Sequence, residues 1–425
     1  MIPRPHRLVA ALVAVLLAAC GTDLPAPNGG QLAKSDKPRL SASSVPAADV
    51  TEQAHDDTAF AFDLYAQLAP TPGNLFFSPH SISTALALTW AGARGQTASD
   101  MASALQFSMP AERTHAAFNA LDQALQSRAQ VGTSEDGGPF KFNVANAIWS
   151  QVGMDLQQPF LDTLAQDYGA GVHLEDFVQA PAAALSDING WVSQNTAGKI
   201  PKLLEAGDVT DATRMVLTNA VYFNASWKTP FEESATQDAP FHALDGSTPT
   251  VSMMHAGLET AYAQGSGWEA VEIPYSNPDL SLTVIVPAQG QFGAVEGQLS
   301  AAFLDQVIAA EGPADVTLAL PKFDITTKAH LKGALMALGM GSAFDDADFS
   351  GIDGQRDLAI GDVIHQATVR VDEAGTEAAA ATAVIILGSA APANPVTLTV
   401  DRPFILALRD RPTGAVVFLG RVTQP

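Results

Sequence analysis

The chain has 425 residues, is 47% hydrophobic and carries a net charge of −23, with a pI near 4.5. That charge has the wrong sign for nucleic acid or heparin-like polyanions, whose capture needs clustered Lys and Arg. Solubility of an exported domain accounts for it better, and a single cysteine, Cys20, excludes any disulfide within the chain.

Arg4 and Arg7 precede an apolar stretch, 8–19, too short to span a membrane. Residues 1–19 therefore read as an export signal. Leu17-Ala-Ala-Cys20 resembles a bacterial lipobox, which implies cleavage before Cys20 and a lipid on its new N-terminus. Gly21 stands where an inner-membrane retention signal has aspartate, so the outer membrane is the expected destination, facing the periplasm or the cell surface. Residues 20–51, rich in Pro, Ala, Ser, Gly and Asp, read as a flexible lipidated tether. No later stretch approaches the roughly 20 apolar residues of a membrane-spanning helix. The remainder, 52–425, has no second linker, repeat or charge block and reads as one large domain.

In chain order, helical spacing covers 51–68 and ends at Pro70, Pro72 and Gly73. A short strand, 74–78, closes at Pro79, and a helix follows over 81–91. Two more helical stretches lie near 111–129 and 158–168. Strand patterns then occupy 142–149, 214–223, 270–274, 280–286, 316–320 and 414–419, with helices expected at 185–194 and 330–338. Helices crowd the first half and strands the second. This is an α+β arrangement on large mixed or antiparallel sheets, not a βαβ repeat.

Enzyme signatures are absent from the sequence. There is no Gly-x-Ser-x-Gly elbow, no Gly-x4-Gly-Lys loop, no His-Glu-x-x-His and no Cys/His set at zinc spacing. No catalytic residue, metal or cofactor is expected. His365, in an apolar setting, reads as a hydrogen-bonded structural histidine.

Several segments, in order along the chain, instead resemble the serpin family. They are Asn74-Leu-Phe-Phe-Ser-Pro-His-Ser-Ile-Ser83, Leu217-Thr-Asn-Ala-Val-Tyr-Phe-Asn-Ala-Ser-Trp227 and Val363-Ile-His-Gln-Ala-Thr-Val-Arg-Val-Asp-Glu-Ala-Gly-Thr-Glu377. Asp401-Arg-Pro-Phe404 and Gly414-Ala-Val-Val-Phe-Leu-Gly-Arg421 also fit. So do Ile188-Asn189 with Gly198-Lys-Ile200, Ser252-Met-Met254 and Leu320-Pro-Lys-Phe323. The resemblance implies a serpin fold: a large central mixed sheet, further sheets, eight or nine helices and an exposed reactive loop at about 375–396. It implies an inhibitor, a monomer, that traps serine endopeptidases (cysteine endopeptidases being a second class) as a covalent acyl complex. Loop insertion in serpins is itself a standard instance of strand addition. The alternative within the family is a non-inhibitory binding or structural protein at the cell envelope.

The resemblance also places functional residues. The hinge comprises Glu373, Gly375, Thr376, Glu377, Ala378, Ala379, Ala380 and Ala381. The reactive bond falls at Ser389–Ala390 by counting from the hinge, with Leu387, Gly388 and Ala391 as alternatives. Ser78, Ser81, Asn219 and His365 match a hydrogen-bonded cluster where the sheet must part, and Trp227 the tryptophan near first entry.

The residues of this loop suit insertion. From Gly375 to Ser389 is 14 steps, reaching ~46 Å at ~3.3 Å each, against a diameter of roughly 54 Å for a domain this size. Alternation puts Thr376, Ala378, Ala380 and Thr382 on one face, all small enough to enter a packed core. No charged residue lies between Thr382 and Val400, which disfavours trypsin-like and caspase-like targets. Elastase-, subtilisin- or chymotrypsin-like pockets fit these side chains better.

Overall fold

A computed structural model describes residues 31–128, 141–376 and 395–425. The first half contains β1 (Gln31–Ala33), α1 (Ala47–Leu68), β2 (Leu75–Phe77), α2 (Pro79–Trp90) and α3 (Gly95–Ala104). It continues with α4 (Ala111–Arg128), β3 (Lys141–Gln151), α5 (Gln158–Tyr168), β4 (Val172–Glu175) and α6 (Pro181–Asn195). Next come β5 (Met215–Ser226), β6 (Gln237–Pro240), β7 (Thr250–Gly265), β8 (Trp268–Pro274), β9 (Leu280–Pro287), α7 (Phe292–Glu296) and α8 (Ala301–Ala310). The last part holds β10 (Gly312–Pro321), β11 (Phe323–His330), α9 (Lys332–Leu335), α10 (Ser350–Asp353) and β12 (Ile364–Val371). After these come β13 (Gly375–Thr376), β14 (Pro395–Thr399), β15 (Phe404–Asp410) and β16 (Val416–Val422).

The strands form two mixed sheets. One runs β1-β4-β3-β5-β13-β12-β11, and the other β14-β10-β7-β8-β9-β15-β16-β2, with β6 on β7. The α+β expectation holds. Among the described residues there are ten α-helices, two of only four residues, against the eight or nine implied by resemblance.

Local chemistry explains several elements. Ser78 caps α2 through its side chain, which accepts from Ser81 N–H, and Pro79 opens the helix where a missing N–H costs nothing. Gly169 ends α5 in the left-handed conformation. All eight residues of β9 are buried because both of its faces are covered. Leu280, Leu282, Val284 and Val286 join the core between the sheets, while Ile285 packs with Phe303 and Val307 of α8. Helix α6 lies across the other face of the seven-stranded sheet. There Ile188, Trp191 and Val192 meet Ala145, Ala147, Trp149, Ala220 and Ile364.

The tether expected over 20–51 is corrected from residue 31 onward. Leu32 pairs with His173, making β1 an edge strand of the seven-stranded sheet. Lys37 bonds Asp162 at 2.8 Å, and Arg39 reaches Asn119 at 2.8 Å and Asp122 at 2.5 Å. The approach is close because Gly171 has no side chain: a Cβ there would lie 2.7 Å from the Ala33 carbonyl oxygen. A three-residue strand with ion pairs only beyond it leaves no apolar period to read. The signal segment, Cys20 and the first part of the tether lie outside the described residues.

Candidate functional site

The seven-stranded sheet is a fork. In its lower half β5 and β12 pair directly and in parallel, from Thr218 with Ile364 to Tyr222 with Thr368. In its upper half β13 sits between them, Gly375 opposite Ser226 and Thr376 opposite both Ala225 and Val371. The first two residues of the expected exposed loop are thus already strand. This corrects the loop's starting point. Gly375 permits it, since a Cβ at that position would lie 2.2 Å from the Ala225 carbonyl oxygen.

A turn delivers the hinge to this place. Asp372 N–H donates to the Gly375 carbonyl at 3.0 Å, and Ala374 N–H to the Asp372 carboxylate at 3.1 Å. Trp227 holds the turn from beneath. Its backbone N–H donates to Ala374 O and its indole N–H to Asp372 O, both at 3.0 Å. Tyr275 stacks on Trp227 with centroids 4.6 Å apart, and its hydroxyl lies 2.8 Å from Thr376 Oγ1 in the buried core. Thr376 itself is 0% exposed.

Glu373 anchors the turn from the side. Lys322 Nζ lies 2.6 Å from one carboxylate oxygen, Thr236 Oγ1 donates to the other at 2.7 Å, and Phe231 N–H donates to its carbonyl. Burial pushes the Glu373 carboxyl up, and the bonds from Lys322 and Thr236 outweigh it, holding the group below the usual glutamate range.

The lower half closes differently, through side chains. His365 and Asn219 are register partners on β12 and β5, and Asn219 faces Asn146 on β3. Ser78 N–H donates to His365 Nε2 at 3.2 Å, so the ring's proton is on Nδ1, which donates to Asn219 Oδ1. The Asn219 amide donates to Ser81 Oγ at 2.8 Å and to Asn146 Oδ1 at 2.7 Å; Ser81 Oγ donates to Asn146 Oδ1 as well. Ser78 Oγ donates to Val417 O of the second sheet at 2.8 Å. Burial lowers the His365 pKa to about 3, so the imidazole stays neutral.

The structure therefore brings Ser78, Ser81, Asn219 and His365 into one network, with Trp227 apart from them at the fork. The sequence reading missed Asn146, Tyr275 and Lys322. Asn146 lay in a segment read only as a strand. Lys322 stood inside the quoted Leu320-Pro-Lys-Phe323 segment without a role. Tyr275 directly follows the 270–274 strand, and nothing in its sequence setting shows which ring it will face. Residues Glu377, Ala378, Ala379, Ala380 and Ala381, and the reactive-bond candidates Leu387, Gly388, Ser389, Ala390 and Ala391, lie outside the described residues. Among the described residues no cluster of three or more His, Cys, Asp or Glu side chains is arranged to hold a metal ion, and no helix is long and apolar enough to cross a membrane.

Comparison with known proteins agrees with this architecture. Residues 55–425 match the family described as Serpin (serine protease inhibitor). An uncharacterized serpin-like protein of Thermococcus kodakarensis is 36% identical over 428 residues, covering 98% of each chain. The leukocyte elastase inhibitor of Bos taurus is 35% identical over 382 residues, 87% of this chain and 98% of that one. Among solved structures, the thermophilic serpin tengpin in its native state superposes with a TM-score of 0.77 at 28% identity, covering 88% of this chain and 94% of tengpin. The chain belongs to the serpin family, whose members as a class inhibit proteases and are not themselves catalysts.

Proposed function

We propose that this protein is an inhibitory serpin that traps serine endopeptidases with elastase-, subtilisin- or chymotrypsin-like pockets. The observation that carries this reading is the hinge, with Gly375 and Thr376 seated between β5 and β12. A strand already begun there needs only to be extended. In this reading Ser78, Ser81, Asn146, Asn219 and His365 seal the sheet ahead of the growing strand, and Trp227 and Tyr275 form its point of entry.

The chemistry is that of an interrupted proteolysis. The protease serine oxygen attacks the carbonyl carbon of Ser389. The bond to Ala390 breaks, and the Ala390 nitrogen leaves with the proton as a new N-terminus. The ester left on the enzyme is then carried away from its oxyanion site before water can attack it. Residues 377–389 extend the strand that Gly375 and Thr376 begin. Adding them forms roughly 20 hydrogen bonds worth ~0.5–1.5 kcal/mol net each, comparable with the ~5–15 kcal/mol stability of a whole protease domain. We propose further that Cys20 carries lipid and holds the domain at the outer membrane, working as a monomer without heparin-like cofactors.

Incubation with elastase and subtilisin tests the reading. The expected result is a complex that survives denaturant, with a released fragment whose N-terminal sequencing begins at Ala390. Clipping without a complex would favour the non-inhibitory alternative. A nick at the same bond should raise the melting temperature sharply, because the native form stores the energy of the missing strand.

A further inference from the structure

Beside the fork lies a cleft that this mechanism does not use. Strands β7 and β8 pair only from Tyr262 with Val271 to Gly265 with Trp268. Beyond that point they diverge, and a cleft of about 280 Å³ opens between them. Its walls are Gly257, Leu258, Glu259 and Thr260 on one side, Ile273 and Pro274 on the other, with Lys228 and Thr229 closing one end. Leu258 and Ile273 are buried beneath it, so the surface that the cleft offers is more polar than apolar. A Cβ at Gly257 would meet nothing within 4 Å, so the space extends over that backbone.

The charges at the cleft are unspent. Among lysines with described side chains, Lys228 alone has no partner for its ammonium group; the others have an ion pair, a ring or another contact. Glu259 lines the same cleft and forms no ion pair with any described residue. One free cation, one free carboxylate and the Thr229 side chain define complementary chemistry, while the Thr260 hydroxyl already donates to Glu272 O. That chemistry is a small zwitterion, the size of one amino acid or a dipeptide. The volume is at the lower limit for small-molecule pockets of about 300–1,000 Å³.

The cleft walls are chain neighbours of the residues that hold the hinge. Lys228 N–H donates to Pro274 O at 3.0 Å, next to the bridge between Trp227 and Tyr275. The Trp227 backbone N–H in turn holds Ala374 and its indole Asp372, and the Tyr275 hydroxyl holds Thr376. We propose that this cleft binds free amino acids or dipeptides and that its occupant strengthens the seating of the hinge. Binding the docked form better than the undocked one is what couples the two sites, and the coupling is reciprocal. The regulatory half rests on reading Gly375–Thr376 as an inhibitor's hinge; the binding half does not.

Calorimetry on the full chain with leucine, leucinamide and N-acetylleucine tests the binding half without any protease. Leucine should bind, and each derivative, having lost one charge, should bind about tenfold more weakly. Lys228→Ala should weaken leucine about tenfold while leaving leucinamide unchanged, and Gly257→Phe, which fills the cleft, should abolish binding in a folded protein. No heat with leucine, or binding that survives both substitutions, overturns the site. Hydrogen exchange at the Ala374 and Thr376 amides should slow several-fold when leucine is bound to the wild type. Unchanged exchange with binding intact would overturn the coupling and leave the inhibitor reading untouched.

Discussion

The two halves of the fork are held shut by opposite means. Below, β5 and β12 are already neighbours, and a side-chain network of Ser78, Ser81, Asn146, Asn219 and His365 locks them to β3 and α2. Above, the strands are already apart, and a two-residue strand fills the gap, held by backbone bonds, two stacked rings and one ion pair. A polar network is a good lock for a sheet that must reopen. It has strict geometry and full satisfaction when closed, and its groups can exchange partners with an incoming backbone. The fork is a good starting point because the cost of ordering the first two residues has already been met.

The largest expected effect comes from adding charge to the fork. In Thr376→Arg the guanidinium would replace a hydroxyl that is fully buried beside Tyr275. Burying an unpaired charge costs several kcal/mol, so β13 should withdraw and insertion should stall at its first step. The measurement is the partition of elastase between covalent complex and turnover. Complex should fall to near zero while cleavage persists, and unchanged inhibition would sink the insertion reading.

A smaller effect, on the lock, is expected from Asn219→Leu. Removing this amide takes a partner from Ser81, Asn146 and His365 at once; Ser81 and Asn146 keep each other, while the orphaned His365 N–H costs about 1–3 kcal/mol and the two lost amide bonds add to it. Stability should drop by about 2–4 kcal/mol, read as a lower denaturation midpoint with an unchanged slope. Spontaneous insertion of the uncut loop should accelerate. If the midpoint did not move in Asn219→Leu, the network would not be what holds the lower half shut.

Acid should reach the lock first, and the fork only once pH falls through the usual glutamate range, since Glu373 is held below it. An unfolded histidine takes its proton near 6.5, but buried His365 does so only near 3. Between these values the unfolded chain holds the extra proton, so stability falls as pH falls through the window from about 6.5 to 3. Burial also lowers His115 and His173 to about 4, and they add in the same direction. Glu175 and Glu311, lifted to about 7 by burial, oppose them in the upper part of the window. The informative quantity is therefore the difference between wild type and His365→Gln. That difference should shrink steadily as pH drops from 6.5; a constant offset would mean His365 titrates normally.

The fold was largely legible in the residues, and the reasons differ by element. Helices α1, α4, α5 and α6 and strands β3, β5, β8, β9 and β10 fall close to where periodicity placed them. Each has a face that packing uses. Elements whose buried face is not strongly apolar were not visible. Helix α3 mixes Ser, Thr, Gln and Ala, and β7 runs 16 residues past two different neighbours with changing exposure. Strand β1 is held by backbone bonds and by Ala33 at the edge of the core, with ion pairs only beyond it at Lys37 and Arg39. Within the site, the network was recoverable only through family resemblance, because Ser, Asn and His at scattered positions carry no period. Asn146 and Tyr275 were missed because their roles exist only in three dimensions. One is set by register across β3 and β5, the other by a ring stacked across two sheets.

The smallest expected effect concerns the ion pair at the fork. Lys322 is 39% exposed and Glu373 10%, so water screens the ammonium while the carboxylate keeps its bonds to Thr236 and to the turn. Exposed or half-exposed pairs contribute about 0–1 kcal/mol. Lys322→Ala should therefore lower stability by no more than about 1 kcal/mol, and less still at high salt. Thr236→Val in the same background should cost more, because it removes the remaining side-chain partner of a largely buried carboxylate that its bonds keep charged. If Lys322→Ala alone matched the loss seen in Asn219→Leu, the turn would be held by charge, not by backbone bonds and stacked rings. The upper half of the fork would then be a second lock, and the strand at Gly375–Thr376 something to be released before insertion can proceed.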